Sequence, residues 1–330
     1  MSEYVVSNSL LYKLSIIIPY YNSGATIERL LNSIMSEAND VQVIVVDDNS
    51  TESAEVFETL KRNYSGRVEF YINDSGVKGA GAARNVGLKH AEGKYLIFAD
   101  SDDYFISGWK AIVDEYLGSD PDIVVFNPVS WDSVRNRPGY IVKEFSNAVI
   151  RAAEGEPNGN LCVRYLFTPA WSKLIKREIV TDNNIVFQET LFSNDVMFSM
   201  KSSFYANDVR TDKRNIYCIV ERDGSLTKNR TEEAFRIRFD VFYDRIKFLK
   251  ANLSEEEYAY VADSVSIFCF IRIIYENRFS RKLRNEFFEF CKENGISVDR
   301  RIRQYRHRKF ETRMGRIKSY IKRVFLGGRK

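Results

Sequence analysis

Three carboxylates fall within four positions where an apolar run ends. Asp100, Asp102 and Asp103 close the stretch Tyr-Leu-Ile-Phe-Ala-Asp-Ser-Asp-Asp-Tyr at 95–104. A buried strand that ends this way concentrates negative charge at one rim of a sheet. Such charge is costly unless a cation or a hydrogen-bond network offsets it. Hard divalent ions with oxygen ligands suit the segment, and those ions in turn bind phosphates. A solvated acidic turn is the plainer reading of this segment by itself.

Other segments carry candidate chemistry. Asp48, in Asp47-Asp48-Asn49-Ser50, can accept hydrogen bonds from a ribose or a base N–H. Equally, Asp48, Asn49, Ser50 or Thr51 can cap a helix starting near 52. Asp195, in Phe-Ser-Asn-Asp-Val-Met-Phe at 192–198, reads either as a helix cap or as a general base whose pKa is tuned by burial. The stretch Gly76–Gly87 follows a strand, opens a helix and contains G-x-G, but Arg84 stands where a dinucleotide fingerprint has its third glycine. A loop presenting backbone N–H groups, with Arg84 available to a phosphate or a base, is more economical. Arg222–Lys228 sets basic and hydroxyl residues, Ser225 among them, around a glycine, which suits a mobile loop closing over a diphosphate. The histidines, His90 and His307, pair with no nucleophile, which argues against a hydrolase triad or a His-rich zinc site.

The elements that must position these residues follow from periodicity. Short apolar runs at 14–18, 41–46, 67–72, 94–99 and 122–127 read as strands, the first closed by Pro19. Helical patterns at 24–35, 53–63 and 80–91 separate them. Strand and helix thus alternate from about 14 to 118, which predicts a mostly parallel sheet covered on both faces. In such sheets ligands bind beyond the carboxyl ends of the strands. Pro19-Tyr20-Tyr21-Asn22, the Asp48 turn and the Asp100–Asp103 cluster all fall at such ends. The stretch 130–160 reads as a variable excursion, and strand-like segments return near 185–187 and 215–220. From 231 the pattern is helical, at 234–250, 255–278, 281–293 and 299–326. Two regions are expected, 1–230 and 231–330.

A length of 330 residues, 44% hydrophobic and 28% charged, is ordinary for a globular protein of one or two domains. The four cysteines are far apart and form no C-x-x-C pair, as expected of reduced thiols in a cytosolic protein. No signal peptide is expected, and no apolar run reaches the roughly 18 residues of a spanning helix. The net charge of +4 is unevenly placed: Arg300–Lys330 holds 13 Lys or Arg against one acid, Glu311. At 316–326, Ile317, Tyr320, Ile321, Val324 and Phe325 share one helical face flanked by basic residues. That is either a helix suited to an anionic membrane surface or one docked on its own domain. Nucleic acid is not an expected partner, since no RNA-binding signature accompanies the charge.

In order along the chain, Ser-Ile-Ile-Ile-Pro-Tyr-Tyr-Asn (15–22), Val-Ile-Val-Val-Asp-Asp-Asn-Ser (43–50), Gly-Ala-Gly-Ala-Ala-Arg-Asn-Val-Gly (79–87), Tyr-Leu-Ile-Phe-Ala-Asp-Ser-Asp-Asp (95–103), Trp-Ser-Lys-Leu-Ile-Lys-Arg (171–177), Asn-Asp-Val-Met-Phe (194–198) and Arg-Asp-Gly-Ser-Leu-Thr (222–227) resemble the family-2 inverting glycosyltransferases, especially bacterial enzymes of capsule and lipopolysaccharide synthesis. The resemblance implies a GT-A fold, an α/β sheet of mixed but mostly parallel strands, followed by a helical C-terminal region. It implies a UDP-sugar donor held by Pro19, Tyr21, Asn22, Asp48, Arg84, Asp100, Ser101, Arg222 and Ser225. Asp102 matches the metal ligand of a D-x-D motif, for manganese or magnesium, and Asp195 matches the catalytic base. Trp171 and Asn194 fall at the acceptor site, although the family usually has Glu where Asn194 stands and Asn where Ser172 stands. The implied reaction is β-glycoside formation on a saccharide or lipid-linked oligosaccharide, by a cytoplasmic protein peripheral to the inner face of the membrane. A nucleotidyltransferase on a similar sheet, or a non-catalytic binding module, is the alternative.

Overall fold

Leu14–Tyr20 forms β1 and is buried at every position. A strand covered on both faces needs no polar alternation, which is why its sequence is nearly all apolar. It is followed by α1 (Gly24–Met35), β2 (Gln42–Asp47), α2 (Ala54–Asn63), β3 (Glu69–Ile72), α3 (Ala80–His90) and β4 (Tyr95–Phe98). These strands match the expected runs to within a residue or two, with one correction: Pro19 lies inside β1, opposite Val46. Proline is tolerated there because β1 is near its end and pairs with β4 only as far as Ile17. The computed structural model describes residues 12–51, 54–222, 229–264, 268–277 and 279–298, with 302, 303, 307 and 314.

Next come β5 (Tyr104–Phe105), α4 (Trp109–Leu117), β6 (Ile123–Phe126), β7 (Val129–Asp132), β8 (Arg137–Pro138), α5 (Lys143–Ala153), α6 (Gly159–Tyr165), β9 (Lys173–Lys176), α7 (Arg177–Asp182), α8 (Val196–Tyr205), β10 (Val209–Asp212) and β11 (Tyr217–Glu221). The expected excursion at 130–160 therefore contains regular elements. The apolar residues near 185–187 belong to no strand; β9 and β10 take the sheet positions instead.

The main sheet has seven strands in the order β10-β6-β9-β4-β1-β2-β3. It is parallel except at β9, which runs antiparallel to both β4 and β6. Strand alternation divides the core. Ile16 and Ile18 face one cluster, with Leu30, Leu31, Ile34 and Trp109. Ile17 faces the other, with Ala83, Phe98, Phe187 and Phe198. A smaller sheet, β5-β11-β7-β8, stands beside it. Its end is clamped by Glu221, whose Oε1 accepts from Ser130 Oγ (2.9 Å), Tyr140 N (2.7 Å) and Ile141 N (2.9 Å). Gly139 is required there, because a Cβ would lie 2.1 Å from that oxygen.

The chain separates into two compact units, Met1–Lys228 and Asn229–Lys330. The second contains α9 (Glu232–Asn252), α10 (Glu255–Ser264), α11 (Phe268–Glu276) and α12 (Arg281–Glu293). Thr231 caps α9 by accepting from Ala234 N. Its core is aromatic: Phe235, Phe239, Phe242, Phe287 and Phe290 are buried, with Phe239 and Phe287 ring centroids 5.4 Å apart. The expected basic helix at 316–326 lies outside the described residues. Among those residues no helix is long and apolar enough to cross a membrane.

Candidate active site

The carboxyl ends of β1, β2, β4 and β6 share one rim of the main sheet with the start of β9. The Pro19–Asn22, Asp48 and Asp100–Asp103 segments sit on that rim or on the loops leaving it, and Arg84 is on α3.

At the β1–β2 side the loops are tied to each other. Asp48 N donates to Tyr20 O (2.7 Å), Asn22 N to Ser50 Oγ (3.0 Å), and Thr51 N to Asn22 Oδ1 (2.8 Å). Asp48 is buried, and its carboxylate is held by neutral donors: Asn73 Nδ2 on Oδ1 (2.6 Å) and Gly79 N on Oδ2 (2.7 Å). Tyr21 is exposed, with the Lys78 ammonium 5.9 Å from its ring centroid, and Pro19 is buried in β1.

The acidic turn after β4 is held by charges. Asp100 Oδ1 accepts from Arg84 Nη2 (2.5 Å), and Arg84 Nη1 donates to Asn194 Oδ1 (2.7 Å). Arg84, expected from sequence to face the nucleotide, thus spends both terminal nitrogens inside the protein. Asp102 Oδ2 accepts from Arg222 Nε (2.6 Å), and its carbonyl accepts from Arg29. Ser101 and Asp103 are buried. Asp103 Oδ2 accepts from Tyr217 Oη (2.9 Å) and Oδ1 from Val220 N (2.8 Å), while Tyr217 Oη accepts from Asp100 N (2.7 Å). Burial, and after it the charge of Asp100, holds the Asp102 carboxyl above its ordinary range despite Arg222. Burial drives Asp103 well above that range, with Asp100 and Asp102 adding to the effect.

Asp195 immediately precedes α8 but gives its helix no side-chain cap hydrogen bond. Burial raises its pKa; Arg84 and Lys173 pull it down and Asp100 pushes it up. Asn194, expected at the acceptor site, is buried, and its amide is committed to Arg84 and to Thr190 O (3.3 Å). Gly81 makes this approach possible, since a Cβ there would lie 2.9 Å from Asn194 Cβ. Trp171 is half-buried and stacks on Tyr217, with centroids 6.5 Å apart at 22°. Ser172 is fully buried in a left-handed backbone (φ 59°), a conformation costly for serine. Ser225 lies outside the described residues.

The arrangement gathers Asp100, Arg84, Asn194 and, through its field, Asp195; Asp102 joins them through the same turn. The oxygen-only donor set suits a hard divalent ion, with Arg84 and Arg222 already pairing two of its carboxylates. Among the described residues no three His, Cys, Asp or Glu side chains form a metal shell.

Sequence reasoning missed Asn73, Tyr217 and Lys173. Asn73 and Tyr217 lie 25 and 114 positions from the aspartates they hold, and nothing local marks them. Lys173 did carry a signal, a lysine heading the apolar strand Lys-Leu-Ile-Lys.

The mostly parallel seven-stranded sheet with an acidic turn at its carboxyl rim matches the GT-A fold, a class of sugar-nucleotide transferases. Residues 15–178 match the family described as Glycosyl transferase family 2, and the chain carries a domain of that family. The poly(ribitol-phosphate) beta-N-acetylglucosaminyltransferase TarS of Staphylococcus aureus strain Mu50 is 33% identical over 223 residues, which cover 64% of this chain and 36% of that protein. The poly(ribitol-phosphate) beta-glucosyltransferase of Bacillus spizizenii is 29% identical over 222 residues, 64% of this chain and 33% of that protein. The chain thus spans about a third of the length of these curated relatives. The crystal structure of S. aureus TarS 1-349 in complex with UDP-GlcNAc covers 86% of this chain and 80% of its own, at a TM-score of 0.63 and 23% identity, which establishes the shared fold.

Proposed function

We propose that this chain transfers a sugar from a UDP-sugar to a hydroxyl of a cell-surface polymer, inverting the anomeric centre. The observation that carries this reading is Arg84, which ties the acidic turn at Asp100 to Asn194, next to Asp195. That bridge sets a candidate base beside a candidate diphosphate site. On this reading Asp48, Asn22, Pro19 and Tyr21 hold the nucleoside. The Asp195 carboxylate takes the proton of the acceptor hydroxyl as its oxygen bonds to the anomeric carbon. The bond from that carbon to the diphosphate oxygen breaks, and UDP leaves from the opposite face. An α-linked donor therefore gives a β-glycoside. Arg222 and Arg84 supply positive charge around the leaving group. A manganese or magnesium ion held by Asp102 would add Lewis-acid stabilisation of the diphosphate.

UDP-N-acetylglucosamine and UDP-glucose are the first donors to test, and poly(ribitol phosphate) the first acceptor, because the relatives' names carry them. Calorimetric titration with UDP, with and without manganese, tests the donor site. Product NMR tests the β configuration. Absence of UDP binding under every metal condition would end the proposal. We also propose that the basic 300–330 segment holds the protein to the inner face of the cytoplasmic membrane, where a lipid-linked acceptor is presented. Removing residues 316–330 is then expected to weaken co-sedimentation with anionic vesicles in a salt-sensitive way. Equal sedimentation of the shortened chain would refute it.

A further inference from the structure

Lys173 is fully buried at the rim, a place where an ammonium loses its hydration without an adjacent ion pair. Its Nζ donates to Phe167 O (2.7 Å) and stands 4.9 Å from the centroid of the Phe167 ring. A carbonyl and a ring face stabilise an ammonium only in part. In β9 the alternation puts Leu174 in the cluster with Ile16 and Ile18, and Ile175 in the cluster with Phe167 and Phe198. Lys173 therefore projects on the Ile175 side, the face that α8 covers. Asp195 is the residue from which α8 starts. The charges whose fields reach Asp195 come from three elements: Arg84 on α3, Asp100 after β4, and Lys173 on β9. Arg84 is already engaged with Asp100 and Asn194, and Asp100 opposes ionisation of Asp195. A lysine is kept in the core here, where a leucine or methionine would pack without the desolvation cost.

We infer that Lys173 is a positioning residue for catalysis, a buried counter-charge that keeps Asp195 ionised and so able to accept the acceptor's proton. The inference rests on Asp195 being the base. The electrostatics agree in sign on both partners. Burial depresses Lys173 to about 7, and Asp195 is the charge that holds it up. Burial raises Asp195, and Lys173 is among the charges that hold it down. Below pH 7 the ammonium is charged.

The test measures kcat/KM against pH for transfer from UDP-N-acetylglucosamine to poly(ribitol phosphate), in the wild type, Lys173→Met, Lys173→Gln and Lys173→Arg. Loss of the charge is expected to move the acid-side midpoint upward. Lys173→Arg is expected to leave it in place, and UDP affinity is expected to hold in all four. An unmoved midpoint in the neutral variants overturns the inference. So does an equal shift in Lys173→Arg, which would mean packing rather than charge. Lys173→Gln keeps a donor for the Phe167 carbonyl and covers the case in which Lys173→Met does not fold. If both neutral variants fail to fold while Lys173→Arg folds, the charge serves the fold rather than the reaction and the inference falls. Asp195→Asn separates the two readings. If it turns over, the base assignment itself is wrong. If it is inactive and the midpoint is unmoved, only the role of Lys173 is lost.

Discussion

Asp48 is a buried carboxylate and Asp195 a half-buried one, and they are stabilised in opposite ways. Asp48 takes two short hydrogen bonds from neutral donors, an amide side chain and a backbone N–H. Such a carboxylate is fixed in place. Asp195 caps nothing and sits among charges of both signs, with its pKa pushed up by burial. A group so placed is ready to exchange a proton. The difference separates a part of the site built to hold a ligand from a part built to act on one.

Asp195→Asn attacks that contrast directly. Transfer is expected to fall by about 10³-fold or more, since a positioned base contributes 10²–10⁴-fold. UDP affinity measured by calorimetry is expected to stay within about twofold. Equal losses of binding and turnover would show that the two halves of the site are not separate.

Arg84→Met is the next largest effect, and it falls on stability as well as rate. It strands Asp100 and frees Asn194 together. Removing one partner of a buried ion pair costs about 3–5 kcal/mol. Here Asp100 keeps 34% exposure and can rehydrate, so roughly 2 kcal/mol is expected from urea unfolding. Turnover is expected to drop more than UDP affinity, because the bridge orders the acting half. Asn73→Ala tests the holding half. It removes one neutral donor from Asp48, a loss of about 1 kcal/mol, or roughly fivefold in UDP affinity. Because no charge is removed, that loss is expected to be the same in low and high salt. A strongly salt-dependent loss would mean that Asp48 too belongs to the charged network.

The holding and acting residues were unequally legible in the sequence. Strands β1, β2 and β4 stand out because burial on both faces leaves them uninterrupted apolar runs, and the acidic loops mark their ends. β9 and β10 did not stand out. Lys-Leu-Ile-Lys and Val-Arg-Thr-Asp are four residues long and carry charge, and only their neighbours in space make them strands. Conversely, Ile185 and Phe187 are apolar because they fill the core beside Phe198, without joining a sheet. The aspartates were legible by type. What each aspartate does depends on partners brought in from afar: Arg84 meets Asn194 across 110 positions, and Arg222 meets Asp102 across 120. Asn194 illustrates the limit, since nothing in its sequence neighbourhood indicates that its amide turns inward to an arginine.

Arg222→Gln gives the smallest expected change in stability and the finest test of the contrast. Its pair with Asp102 is short (2.6 Å), but the arginine side chain is 50% exposed. Exposed pairs contribute about 1 kcal/mol at most, because water and salt screen them and the long side chain loses entropy. The urea midpoint is therefore expected to move little. Donor turnover is a different matter, since the guanidinium faces the turn where diphosphate charge would develop. A several-fold fall in kcat/KM for the donor is expected, larger at low ionic strength, where the positive charge is least screened. If stability falls by several kcal/mol instead, Arg222 is a structural counter-ion of the acidic turn. Its sequence neighbourhood, a basic residue beside a glycine and hydroxyl-rich stretch, would then have suggested the wrong kind of residue.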